Sequence, residues 1–336
     1  MRRSLAALLI VPALVLTAAC GGDNNKKDDA ASSAAPSPSA SSAPKAPKPV
    51  ASADPMPTVS GAAGKKATIT VPKGKPSDKF VVHPLSDGSG PAIKKDQLVV
   101  AGFTAKVWGG KDLGSSYDKG ASPQVIPAGS PQIIPAFSQA VVGQKVGSRV
   151  LVVAPPSAGF GSQGNQQLGV KGGDTLVFVL DIQKVLPKQV TGTQSSIPKN
   201  LPQIKADTAA PATIDVPKAD PPKDLVKKVL IPGKGATVKS GQTVVMQYTG
   251  AAWKPNEGKS PAKAFDSSYN TGVPLTTAIG TGAVIKGWDQ GIVGQKVGSR
   301  VLLVIPPSLG YGSQSPSADL PANSTLVFVV DILGAV

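Results

Sequence analysis

The chain has 336 residues, about twice a typical single domain, so two domains with connecting segments are the starting expectation. Only 16% of its residues are charged while 37 Gly and 33 Pro are spread along it, which argues against a helical bundle and for many short strands and turns. Thirty-five basic against 20 acidic residues give a net charge of +15, which favours anionic surfaces without naming one; a single Cys and a single His exclude an intramolecular disulfide, a multi-cysteine zinc site and a His-rich metal centre.

Residues 1–19 read as an export signal: a basic tip at Arg2 and Arg3, an apolar stretch from Leu5 to Leu16, then the small residues Thr17, Ala18 and Ala19. The apolar stretch is shorter than the ~20 residues that a spanning helix needs. Thr17-Ala18-Ala19-Cys20 resembles the lipobox of bacterial lipoproteins, with Thr17 where Leu is commoner. The resemblance implies acylation of Cys20, the membrane as a partner through that lipid, and an extracytoplasmic place on the cell membrane. Residues 20–76 are Ala, Ser, Pro, Lys and Gly with no aromatic side chain, and they read as a disordered tether whose lysines are weakly drawn to an anionic envelope.

All fourteen aromatic residues lie beyond this point, seven from Phe80 to Phe178 and seven from Tyr248 to Phe328. They place two cores, at 77–187 and 218–336, with 188–217 as a linker. Val142 to Leu151 recurs letter for letter as Val293 to Leu302, and Thr175–Val179 as Thr325–Val329, so the chain holds two copies of one domain rather than a solenoid. His83 falls in the expected first strand of the first copy and reads as a strand residue, not a site. In the second copy Val244, Met246 and Tyr248 alternate with Val245 and Gln247 as in a strand, and Val301–Ile305 and Leu326–Ile332 are β-branched runs bounded by turn residues. Ile285, Trp288 and Ile292 share one face of a short helix ending near Gly294. The fold class is α+β, an antiparallel sheet wrapped on one short helix in each copy.

Four blocks of the second copy then carry a resemblance: Phe265-Asp266-Ser267-Ser268-Tyr269, Val284-Ile285-Lys286-Gly287-Trp288-Asp289-Gln290-Gly291, Ile305-Pro306-Pro307-Ser308-Leu309-Gly310-Tyr311-Gly312, and Leu320 to Phe328. In this order they resemble the FKBP-type peptidyl-prolyl cis-trans isomerases. The resemblance implies two FKBP-like domains, no cofactor and no metal, and a pocket floored by Trp288 and walled by Tyr248, Phe265, Val284, Ile285, Leu275 and Phe328. Asp266 and Tyr311 would be its polar members. Leu275 stands where the family usually has an aromatic, and Thr271 where a basic residue often orients the Asp.

The implied chemistry needs no nucleophile. An X-Pro bond resists rotation by ~18–20 kcal/mol because amide resonance is lost on twisting. An apolar cavity destabilises the planar, charge-separated imide more than the twisted one. The family's pattern assigns the backbone N–H of Ile285 and the hydroxyl of Tyr311 to the rotated carbonyl, and it implies proline-containing unfolded or exported polypeptides and macrolide inhibitors as partners. In the first copy, aligned on the shared block, Phe103, Leu113, Gly114, Phe137 and Phe160 stand at Tyr248, Phe265, Asp266, Trp288 and Tyr311. That copy reads as degenerate, with activity expected in the second. A non-catalytic holdase gripping apolar-Pro segments with both pockets is the alternative reading, and a nucleic-acid partner is disfavoured because the basic tether has no interleaved aromatics.

Overall fold

A computed structural model describes residues 47–206 and 210–336; the expected export signal, Cys20 and the expected tether up to 46 lie outside the described residues. The first copy contains β1 (Thr58–Ser60), β2 (Thr68–Thr70), β3 (Val81–Ser86), β4 (Leu98–Val107), β5 (Asp112–Ser115), β6 (Gln124–Pro127), α1 (Pro135–Ser138), β7 (Arg149–Ala154) and β8 (Leu176–Leu186). The second repeats the order as β9 (Gln203–Lys205), β10 (Thr213–Asp215), β11 (Val226–Ile231), β12 (Thr243–Ala252), β13 (Ala264–Ser267), β14 (Leu275–Ala278), α2 (Lys286–Ile292), β15 (Arg300–Ile305) and β16 (Leu326–Ala335). Each copy builds one six-stranded antiparallel sheet, β3-β7-β8-β4-β5 with β6 on β4, and β11-β15-β16-β12-β13 with β14 on β12. Among the described residues no helix is long and apolar enough to cross a membrane.

The central strands are apolar on both sides because both sides are covered. Along β15, Val301, Leu303 and Ile305 join Trp288 and Ile292 of α2 in one core, while Leu302 and Val304 face the other way. What covers that second side corrects the expectation of a linker at 188–217. Strands β9 and β10 pair antiparallel, and their Ile204 and Ile214, with Leu201 and Val216, pack on Leu302, Val304, Val327, Val329 and Trp253. The expected disordered tether is likewise ordered from residue 47: the hairpin β1–β2 lays Ile69 and Ala67 on Leu151, Val177 and Val179, with Met56, Val59 and Val71 beside them. Val50 also pairs with Val81 on the edge strand β3. Each copy therefore begins with its own strap. Trp108 donates its indole N–H to the Gly74 carbonyl at 3.0 Å, and the aligned Trp253 donates to Ala219 at 2.9 Å, fixing the way out of each hairpin.

The letter-for-letter block holds the straps down. Arg149 pairs with Asp181 at 2.8 Å and donates to the carbonyls of Gly61 and Lys65 in the first hairpin turn. Arg300 pairs with Asp331 at 2.6 Å and donates to the carbonyls of Ala206 and Val190. Ser148 and Ser299 each accept a backbone N–H at 2.9 Å, from Gly88 and Gly233. Gly147 and Gly298 have φ of +94° and +87°, which explains why the block keeps glycine there.

The helices differ in how closely they sit. A Cβ on Gly287 would lie 2.4 Å from Ile305 Cγ2, and one on Gly291 would lie 2.7 Å from Leu303 Cδ2. At the aligned places the first copy has Ala136 in its helix, Ala140 in the turn after it, and Ala154 and Val152 on the strand. Volume has moved from helix to strand between the copies, with the total kept within what a close-packed layer tolerates.

The copies also touch. Leu98, Val100, Val125 and Leu186 of the first sheet, with Val190, form one buried cluster with Ile231, Val245 and Leu333 of the second. The hydroxyls of Ser122 and Thr243 are 3.1 Å apart at its edge, and Val190 N–H donates to Asp331 at 2.8 Å.

A chain starting at residue 218 loses Leu201, Ile204, Ile214 and Val216 from the outer face, at roughly 1.5–3 kcal/mol per side chain, a loss comparable to a whole domain's stability. Compared by urea unfolding with a chain starting at residue 190, it is expected to be unfolded or to melt at far lower denaturant. Equal midpoints would show that the strap is ornamental.

Candidate active site

The site lies on the helix side of the second sheet. Trp288, in the first turn of α2, is 4% exposed and Phe328 on β16 is 3% exposed, and their ring centroids are 5.3 Å apart, edge to face. Tyr248 stands 5.2 Å from Trp288 and 6.1 Å from Phe328, and Phe265 stands 5.6 Å from Phe328. Such edge-to-face geometry matches ring edges to ring faces and gives the group a fixed shape. Val284, Ile285, Leu275 and Tyr311 are half-buried against the same core. The residues expected from sequence to line a pocket are thus brought together, with a buried aromatic floor and half-exposed walls.

Two local devices aim these side chains. Gly250 opposes both Phe328 on β16 and Asp266 on β13, but the β12–β13 register then shifts so that Ala264 opposes Ala251. Phe265 is the extra residue of this bulge, which lets consecutive residues, Phe265 and Asp266, both reach the site. A Cβ on Gly250 itself would lie 2.5 Å from Phe328 and 3.1 Å from Phe265, so a side chain there would push the floor and wall apart. Sequence reasoning gave Gly250 no role, although a glycine inside a strand pattern signals close approach. It also passed over Ser267 and Ser268. Ser268 accepts the Tyr248 N–H at 2.9 Å and donates to Gln247, while Ser267 donates to the Tyr248 carbonyl at 2.9 Å. Together they clamp the main chain that carries Tyr248.

The polar rim is compact. Tyr248 donates its hydroxyl to Asp266 Oδ2 at 2.5 Å. Thr271 turns to its own loop, donating to the Ser268 carbonyl at 3.1 Å, so Tyr248 takes the orienting place. Burial, then the hydrogen bond and charge of Asp266, and then Tyr311, hold the Tyr248 hydroxyl well above its ordinary value of 10.0. Burial and the charge of Asp266 also raise Tyr311. Both phenols stay protonated at neutral pH. Among the described residues nothing accepts from the Tyr311 hydroxyl or from the Ile285 N–H, so both donors are free for a carbonyl. Ile285 caps α2 instead through its own carbonyl, which accepts from Trp288 N–H at 2.9 Å.

The first copy keeps the frame without the rim. Its bulge is retained, with Leu113 as the extra residue and Gly114 opposite Ala105, and Ser115 and Ser116 clamp Phe103 as Ser267 and Ser268 clamp Tyr248. Phe137 packs 6.3 Å from Phe103 and 4.9 Å from Phe178, and Phe103, where Tyr248 is half-exposed, is 4% exposed. No carboxylate or phenol lines this core at the aligned places, and Tyr117 bonds instead to Asp181 on the strap side at 2.7 Å. His83 lies in β3 as expected, half-buried, with Nδ1 3.0 Å from the Ala51 carbonyl.

Residues 90–183 and 234–333, over half of the chain, match the family model of FKBP-type peptidyl-prolyl cis-trans isomerases. The chain belongs to that family. The FK506-binding protein of Streptomyces anulatus is 40% identical over 121 residues, 36% of this chain and 93% of that one. FK506-binding protein 2 of Dictyostelium discoideum is 45% identical over 96 residues, 29% of this chain and 67% of that one. A crystal structure of AtFKBP13 is 34% identical, covers 36% of this chain and 98% of that chain, and superposes with a TM-score of 0.30.

Replacing Asp266 by Asn removes the carboxylate that favours the neutral phenols while leaving their burial. The ionisation of Tyr248 and Tyr311 is then expected to fall toward, but not below, 10.0. Ultraviolet titration of tyrosinate in the parent and the Asp266→Asn chain reads this directly, and superimposable curves would mean that Asp266 does not act on these hydroxyls.

Proposed function

We propose that the second copy catalyses cis-trans isomerisation of X-Pro bonds in exported polypeptides, and that acylated Cys20 holds the chain on the outer face of the cytoplasmic membrane. The observation that carries the catalytic reading is the Tyr248–Asp266 pair beside the free donors of Tyr311 and Ile285, above the floor of Trp288 and Phe328. A proline ring enters the aromatic floor, and the imide leaves water with it. The planar imide, with its charge-separated resonance, loses more solvation than the twisted one, so the barrier falls without any covalent step. As the carbonyl rotates out of plane, the Ile285 N–H and the Tyr311 hydroxyl bond it in the turned position, each contact contributing roughly 1–3 kcal/mol. Asp266 serves by fixing Tyr248 at the rim rather than as a general base.

Placement outside the membrane rests on Cys20 directly after Thr17-Ala18-Ala19 and on the basic, Pro-rich residues that follow. Relatives named for binding FK506 make such a macrolide the natural competitor for the same pocket.

In the full chain, Tyr311→Phe and Asp266→Ala are each expected to lower kcat/KM on a proline tetrapeptide about 10-fold, equivalent to ~1.4 kcal/mol of transition-state stabilisation, with the urea midpoint unchanged. The first copy supplies no reserve of activity, so the double variant should approach the uncatalysed rate. Parent-like rates in both single variants would remove the active site from this pocket, and binding of unfolded clients without turnover would return the holdase reading. For the anchor, Cys20→Ala is expected to move the protein from the membrane to the soluble fraction. Continued sedimentation with membranes, and no fatty-acid incorporation in the parent, would refute lipidation.

A further inference from the structure

The loop that leads into Val284 and Ile285 has little to hold it in place. Gly280-Thr281-Gly282-Ala283 carries two glycines at φ of +80° and +77°, and residues 281–283 are exposed. A segment of this kind samples many backbone states unless something outside it fixes them. Ser240 Oγ donates to the Gly280 carbonyl at 2.9 Å, which leaves the amides of the loop unaddressed. Asp289, in the first turn of α2, takes them: Oδ1 accepts the Gly280 N–H at 2.6 Å and Oδ2 the Gly282 N–H at 2.8 Å.

The first copy closes the same loop differently. Ser138 is the residue aligned with Asp289, and it is its main-chain carbonyl that accepts the Gly129 N–H, at 2.7 Å. The helix there is also shorter, Pro135–Ser138 against Lys286–Ile292. The carboxylate anchor thus belongs to the copy that keeps Asp266 and Tyr311.

The geometry points to Asp289 as a positioning residue that, by holding the amides of Gly280 and Gly282, sets the direction in which the Ile285 N–H meets a rotating carbonyl. This rests on the proposed isomerase function of the second copy. Two bonds to one ionised carboxylate are stronger than neutral ones, and they bind the loop to the same helix that carries Trp288, so donor and floor move as one piece.

The test uses the full chain with Asp289→Ala and Asp289→Asn. Asp289→Ala is expected to lower kcat about 10-fold with KM changed less than 3-fold, and Asp289→Asn, which keeps one acceptor oxygen, to fall between. Hydrogen–deuterium exchange is expected to quicken at 279–285 alone, with β12, β15 and β16 exchanging as in the parent. Unchanged loop exchange, or a loss of activity matched by faster exchange throughout the second sheet, would overturn the assignment. A parent chain without isomerase activity would overturn the proposed function and the catalytic consequence drawn from it, while faster exchange confined to the loop would still establish Asp289 as its anchor.

Discussion

The buried ion pair between Arg300 and Asp331, and its counterpart between Arg149 and Asp181, is the interaction on which the architecture depends. Removing two charges from water is costly, and the cost is offset only when the remaining donors and acceptors are satisfied. In this protein they are satisfied by the straps: guanidinium N–H groups meet the hairpin carbonyls of Gly61 and Lys65 in one copy, and of Ala206 with the linker carbonyl of Val190 in the other. The Asp331 carboxylate accepts the Val190 N–H as well, so the chain just past the end of β8 is seated in the charge pair of the second copy. One pair therefore ties strap to sheet and copy to copy. Its arginine lies within the ten residues that are identical in the two copies, whereas the pocket residues differ.

The divergence of the pocket took few positions because the frame is insensitive to them. Bulge, serine clamp and helix start are shared, so Tyr248 and Phe103 occupy equivalent places on equivalent backbones. Removing a hydroxyl from a half-buried ring costs the fold little, since an apolar ring packs as well as a phenol. It removes the polar rim. Packing and the polar rim thus draw on different atoms of the same side chains, and one can be absent without the other.

Much of this was legible in the sequence. Aromatics gathered in motif order announced the pocket, the i, i+3, i+7 spacing of Ile285, Trp288 and Ile292 announced the helix, and the repeat announced two copies. The straps were not legible, because Ile69 or Ile204 sits in a three-residue strand among Thr, Pro and Lys, too short for any period to show. Composition reads such stretches as unable to bury a core, which is true of them alone; they bury an outer face supplied from far along the chain, for Ile204 by Leu302 and Val329. The bulge at Phe265 was hidden for a related reason, since which residue is extra depends on the partner strand. Gly250 and the two serines lay in plain view but carry their meaning only once the neighbours are known.

Gly114 makes the difference between the two copies more than a change of side chain. Its φ of +109° is a conformation that glycine adopts freely and that a side chain with a Cβ adopts only under strain, whereas Asp266 at the matching place of the second copy has no such backbone. With no carboxylate to carry, the strand has a geometry there that does not suit one. An acid placed at 114 would meet a backbone that resists it and a Phe103 with no hydroxyl to offer it. The backbone at this one residue thus acts as a pawl: writing the acid into the sequence at that place does not by itself build the rim.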